Sequence, residues 1–543
     1  MDFKKCRCKL FRISYVALIL FLALNLSSYT NLIIASPSDF FSYEFIVDRD
    51  GLANTTIIYT TSSKQGTSWV LVPKYLEWTN RSIGGKITKW SLNDAESLTG
   101  SKFYFYEAFS FSFESDGTEF KMIISFNFTM AALIIEPEGI FYSPQIGFKA
   151  GKLTAKVTLP EGFRVSRDQA LVFGSYLNYK PSSYGSNYVF FGPIESENLV
   201  RIEVGFRTTG AQAEHKTLKS GIFTFNTISR YKEYAEKILD LFNRTYDSLV
   251  SLFNVTLDSA EIQFFLPDFY SLFSVMGYVP FISDKMGNIH INIFSIRYVE
   301  GYMEITALHE LIHHFIWKAG ISPEDLLWFH EGMAQYISVE IAQRLGYEGA
   351  AMVMDDLESL SSQLLSITGG DFGFLQQWSP EYEPQNIQAY YVASYYVVSR
   401  LAENRGGLNY YARFFKLIKG ERINDNSALT YYLSLAANES VIQILNNWGF
   451  VIPDVFAYPK VLVEAKSIID QINPIFQPFR YIAEFLYRQA VNSVGNSFKM
   501  QVYLAAAILI ARLAPLLMLV MISAIIYAVA LLVLKRKGVF SSY

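Results

Sequence analysis

The chain has 543 residues, of which 51% are apolar and 18% charged, and its formal net charge is −4. That length accommodates two or three domains, and with no dense basic patch outside the termini nucleic-acid binding is left without support. The two cysteines, Cys6 and Cys8, both lie near the N-terminus, which excludes a cysteine nucleophile, a cysteine zinc site or a disulfide framework further on.

From the N-terminus, Lys4, Lys5, Arg7, Lys9 and Arg12 precede an apolar run over 13–26. A basic stretch followed by an apolar one is the pattern of an export signal. The run is shorter than the ~20 residues a spanning helix needs. Residues 1–35 are therefore expected to be a signal peptide, with an N-terminal signal anchor as the alternative. From 39 to 210 the chain reads as a β-rich domain, with strands near 56–60, 103–106, 120–128, 153–159 and 199–206. Turn residues such as Pro160-Glu161-Gly162 separate them, and a β-sandwich or saddle-like sheet fits. Residues 211–220 read as a polar linker. Helices begin near Ser229, with Tyr234, Ile238, Leu241 and Phe242 on one side. Strands follow at 262–265 and 289–294, the second alternating like an edge strand that can pair with a substrate backbone. The whole is a multi-domain α+β protein.

The most specific pattern is His309-Glu310-Leu311-Ile312-His313, followed by Trp328-Phe329-His330-Glu331-Gly332. Histidine is scarce: of six in the chain, four fall between 309 and 330. Apolar residues at 305, 308, 311, 312 and 315 predict a helix over 302–318, and Gly320 suits a left-handed stop. Residues four apart share a helix face, so His309 and His313 present two imidazoles to one metal ion. Glu310 lies beside them, close enough to take a proton from a water on that metal. Ser322-Pro323-Glu324-Asp325 reads as the cap and first turn of a second helix, beginning at about 323 and carrying Glu331 roughly two turns in. Two His and one Glu form a common ligand set for catalytic zinc, which keeps one position open. His314 and His330 are turned about 100° off the ligand face and are expected to line the pocket or support a ligand. Gln335 is expected either to orient a zinc-bound imidazole or to lie on the surface.

These residues carry a resemblance. The pattern HELIH…LLWFHEGMAQY resembles the gluzincin peptidases, thermolysin and especially the aminopeptidase N family. The resemblance implies that His309, His313 and Glu331 bind zinc and that Glu310 is the general base. It also implies that 221–452 is a thermolysin-like, mainly helical catalytic domain. Seventeen residues separate His313 from Glu331, one fewer than is usual in that family, which marks a divergent member. The family uses a downstream tyrosine to hydrogen-bond the developing oxyanion. Ala389-Tyr390-Tyr391-Val392-Ala393-Ser394 is similar to the stretch that carries it, so Tyr391 is the expected residue and Tyr390 the alternative; core packing competes with either role. The family's G-x-M-E-N strand holds a substrate's free amine through its Glu. The corresponding region, Lys285-Met286-Gly287-Asn288-Ile289-His290-Ile291-Asn292, has no Glu, so aminopeptidase and endopeptidase action both stay open. His290 is expected to be structural, with substrate contact as the alternative. Residues 153–165 resemble part of the family's N-terminal sheet domain, and 444–450 its closing helix.

Pro453 and Pro459 then break the chain, and 453–505 is expected to form a helical stalk or linker. Residues 514–534 carry no charge and are long enough to span a bilayer, and Lys535-Arg536-Lys537 is the basic flank of a cytoplasmic stop. A single transmembrane helix over 514–534, a cytoplasmic tail over 535–543 and an extracellular catalytic domain at the cell membrane follow. Asn54, Asn80, Asn127, Asn243, Asn254 and Asn438 head Asn-x-Ser/Thr sites, plausible glycan acceptors on an exported domain. The expectation is a membrane-anchored extracellular zinc metallopeptidase, with Zn2+ as cofactor and a peptide or protein as substrate. The main alternative is a non-catalytic surface glycoprotein that binds a partner through a peptidase-derived groove. An epoxide or ester hydrolase on the same scaffold is a more distant one.

Overall fold

The computed structural model describes residues 39–536 apart from 118, 196–197, 211–212, 283, 383, 453–457 and 494–496. The expected signal segment, both cysteines and residues 537–543 lie outside the described residues. By contacts the described chain divides into two compact units. One holds the described residues through Thr245, with Leu257–Leu311 and Ser338–Asp356; the other holds Tyr246–Thr256, Ile312–Ile337 and the residues from Leu357 on. The division runs through four continuous helices, Lys232–Phe253, Tyr302–Lys318, Leu327–Arg344 and Glu348–Thr368.

The first unit begins with three sheets. Alternation builds them: Phe41, Tyr43, Phe45 and Val47 of strand Phe40–Val47 are buried, while Glu44 and Ile46 between them are exposed. A seven-stranded sheet runs in the order Ser183–Tyr184, Tyr188–Ile194, Lys152–Thr158, Phe40–Val47, Ala53–Thr61, Phe120–Phe128, Trp78–Ile83. A six-stranded sheet centres on Leu199–Arg207, and a three-stranded one on Tyr106–Ser115. All three contribute to one apolar core, through residues such as Phe41, Val204 and Phe109. The strand expected over 103–106 instead starts at Tyr106. Aromatic content alone placed it too early.

The segment expected as a linker is also a strand. His215–Ser220 pairs antiparallel with Phe223–Ile228, and it is polar because it forms the outer edge of a sheet, where one face meets water. That five-stranded sheet runs His215–Ser220, Phe223–Ile228, Ala260–Phe265, Ile289–Asn292, Gly277–Tyr278. Ile289–Asn292 is therefore an interior strand, paired parallel with Ala260–Phe265 and antiparallel with Gly277–Tyr278. This corrects the edge-strand expectation: alternation reports which face a side chain takes, not whether its backbone is paired. Two arginines tie the sheets of this unit together. Arg230 donates to the Ile134 carbonyl (3.2 Å) and pairs with Glu136 (3.0 Å). Arg297 donates to the Tyr142 carbonyl (2.9 Å) and lies over the rings of Phe128, Tyr142 and Phe294.

The second unit is helical. It includes Ile387–Glu403, Leu408–Leu417 and Asn426–Ala437 and ends in Tyr458–Asp470, Gln477–Val491 and the forty-residue Ser497–Arg536. The last of these is long and apolar enough to cross a membrane over Phe498–Leu532. Its first half packs on the two helices before it, and beyond Ala514 residues such as Leu516, Leu519 and Val520 are exposed.

Candidate metal centre and active site

The helix Tyr302–Lys318 has the bounds its periodicity predicts. Glu304 in its first turn accepts from the Gly301 N–H at 2.8 Å, satisfying one of the donors a helix start leaves over. Residues 301–316 are all buried, and so are 326–339 on the following helix. These two helices are wrapped on every side, which is why the polar groups they carry are held out of water.

The following helix starts at Leu327 rather than near Pro323. Ile321 forms a bridge with Ile423, and Ser322 caps a turn instead of the helix, its Oγ accepting from Glu324 N–H at 3.2 Å. The delay places Glu331 just over one turn into the helix, a correction to the two turns expected.

His309, His313 and Glu331 offer ligand atoms that all lie within 4.8 Å of one another, and all three are buried. His313 Nε2 is 3.6 Å from Glu331 Oε2. On its other side, His313 Nδ1 lies 2.7 Å from His330 Nδ1, within hydrogen-bonding distance. His330 is thus a direct partner of a ligand-set imidazole. His314 is also buried, and desolvation pushes its pKa down to about 4, so it is neutral near pH 7. Gln335 is 1% exposed, which removes its surface alternative.

Glu310 is fully buried, and its carboxylate is aimed at the edge strand. A Cβ built on Gly277 would come 2.7 Å from Glu310 Oε1, so only a glycine lets this strand approach so closely. Gly277 and Tyr278 were not singled out from the sequence. The short run Val275-Met276-Gly277-Tyr278-Val279, closed by Pro280, was the available signal. Their strand is the last in its sheet, so among the described residues its outer backbone edge has no strand partner. His290 lies across from Tyr278, ring stacked on ring at 4.3 Å, with Gln263 Nε2 3.0 Å from its Nδ1. Burial lowers its pKa. These contacts fit the structural role expected for it.

Tyr391 and Tyr390 lie on Ile387–Glu403 with different surroundings. Tyr390 meets the rings of Phe374, Trp378 and Tyr382. Tyr391 is buried, touches Trp378 edge-on, and is one turn from Ser394 on the same face. Ser394 is where this helix meets the glutamate helix: a Cβ on Gly332 would lie 2.5 Å from the Ser394 carbonyl oxygen. Tyr391 therefore shares the face that packs beside Glu331.

No protein-family model matches the chain, and no curated protein matches it. Among solved structures it is similar to native yeast LTA4 hydrolase, at 11% identity and a TM-score of 0.32, over 88% of this chain and 80% of that one. The functional reading therefore stands on the geometry of the site.

Proposed function

We propose that this chain is a membrane-anchored zinc metallopeptidase with its hydrolytic site outside the cell. One observation carries the reading: two imidazoles and a carboxylate with ligand atoms within 4.8 Å of one another, all buried, with a second carboxylate, Glu310, buried beside them. The donor set fits zinc, which takes His nitrogen and carboxylate oxygen in three-ligand catalytic sites. His309, His313 and Glu331 would hold the metal. Bound there, it would polarise a carbonyl and lower the pKa of water.

The chain's own groups account for the rest. Glu310 takes a proton from the attacking water and returns it to the leaving amine. Gly277 and Tyr278 present backbone along which an extended peptide adds as a further strand, bringing its scissile bond beside Glu310. Tyr391 donates its phenolic hydrogen to the developing oxyanion, a role supported by its helix face. Burial strengthens each of these interactions by excluding water. Neither Gly277–Tyr278 nor Ile289–Asn292 carries a carboxylate. This edge therefore offers no anion for a substrate's free amine, and the reading extends to cleavage inside a chain. The uncharged stretch over 514–534 supports the anchor.

The test uses the full-length protein, with bound metal measured by elemental analysis and a mixed peptide library read by mass spectrometry. We expect one zinc per chain and chelator-sensitive cleavage. Glu310→Gln should keep the zinc and lose about 10²–10⁴-fold in kcat. Near-normal cleavage by zinc-replete Glu310→Gln, or a wild-type protein that takes up no zinc, would sink the proposal.

A further inference from the structure

The last three helices leave apolar side chains exposed at a particular height on the molecule. Phe498–Leu532 is an apolar helix of 35 residues. At ~1.5 Å per residue this far exceeds the ~30 Å of hydrocarbon in a bilayer, so part of it stands above the membrane. That upper part packs on the hairpin formed by Tyr458–Asp470 and Gln477–Val491. Ala490 clusters with Met500 and Leu504, and Ala483 with Ala507, Ala511 and Ala514. Moving toward the start of Gln477–Val491 therefore moves along the long helix toward the span. Continuing that antiparallel register sets the hairpin turn, Pro474–Phe476, level with the residues just past Ala514. Phe476 and Phe479 pack around the same cluster as Ala514.

We propose that this turn is seated in the interfacial layer of the membrane, with lipid covering its apolar side chains. The inference rests on the reading of residues 514–534, within the helix Ser497–Arg536, as the membrane span. Residues 471–479 carry no charge, and Ile475 at the turn is 69% exposed. The charges flanking the turn are matched: Lys466 with Asp470 (2.9 Å), Arg480 with Asp470 (3.5 Å) and with Glu484 (3.1 Å). The turn thus brings no uncompensated charge toward lipid. Tyr481 and Phe485, both exposed, come slightly higher, at the headgroup level that aromatic side chains favour. Arg512, exposed on the long helix, is placed to reach phosphate. An amphipathic element continuous with a span buries its apolar side about 5–10 Å into the boundary layer.

The test uses full-length protein with Cys6→Ser and Cys8→Ser, reconstituted in phosphatidylcholine–phosphatidylglycerol vesicles. A single nitroxide is placed through Ile475→Cys, Val520→Cys or Ile367→Cys, all exposed positions, and zinc content checks that each labelled protein is folded. Collisions with oxygen and with a water-soluble nickel chelate report depth. At 475 we expect an oxygen-to-nickel ratio several-fold above that at 367 and below that at 520. A ratio at 475 equal to that at 367, with 520 in lipid, overturns this inference and leaves the anchor standing. Low collisions with both reagents and spin–spin broadening at 475 assign the surface to a second copy and also overturn it. An aqueous ratio at 520 removes the span, and this inference with it.

Discussion

His330 holds a place that motif spacing left open. A hydrogen bond between two Nδ1 atoms requires one ring to donate and the other to accept. If His313 binds the proposed zinc through Nε2, the nitrogen on the Glu331 side, that nitrogen carries no hydrogen, so Nδ1 would donate and His330 Nδ1 would accept, which would orient the ligand ring and set its tautomer. His330→Phe keeps an aromatic ring and removes the acceptor. We expect it to weaken zinc retention by about 10–100-fold in a chelator competition, with His330→Asn recovering part of the loss through its amide oxygen. Unchanged zinc affinity in His330→Phe would reduce the ring to packing. Gly277 is the matching case on the other side of the site, since its missing side chain is the space Glu310 occupies.

Between elements, the contact that matters most is that of Leu327–Arg344 with Ile387–Glu403. Gly332 sits directly after Glu331, and a Cβ there would lie 2.5 Å from the Ser394 carbonyl oxygen and 2.8 Å from Val398 Cγ2. A carbonyl inside a helix cannot step aside, so Gly332→Ala must push the helices apart. We expect a loss of about 1–3 kcal/mol, read as a lower melting temperature. A fall in kcat beyond any loss of zinc should accompany it, because Glu331 and Tyr391 are carried on the two displaced helices. A melting temperature unchanged from wild type would show that the helices accommodate the methyl group.

For the molecule as a whole, one acid strongly altered by folding is Glu203, in the β-rich part of the first unit. Burial raises its pKa to about 8 from an ordinary 4.5, against the pull of Arg201 and Arg297. Its folded pKa thus lies above its unfolded one, so between those values the folded protein binds the extra proton. The contribution to stability is fully present below about pH 4.5 and is lost as pH rises through about 8. We expect the wild-type melting temperature to fall over that window and Glu203→Gln, which cannot ionise, to show a shallower decline. Parallel profiles for the two proteins would remove Glu203 as the cause.

The features legible in the sequence are those that a few contiguous residues specify. The helix at 302–318, the shared face of His309 and His313 and the uncharged stretch over 514–534 all follow from short-range spacing, because a helix satisfies its backbone within itself. Tertiary structure decided the features that depend on residues far apart in the chain. The sheet edge went to Gly277–Tyr278 and not to Ile289–Asn292, because strand pairing is a long-range choice that alternation does not encode. The second helix was delayed to Leu327 as Ile321 bridged Ile423, about a hundred residues away. His330 met His313, and the helix face that Tyr391 and Ser394 share came to lie beside Gly332, only once separate helices were packed against one another.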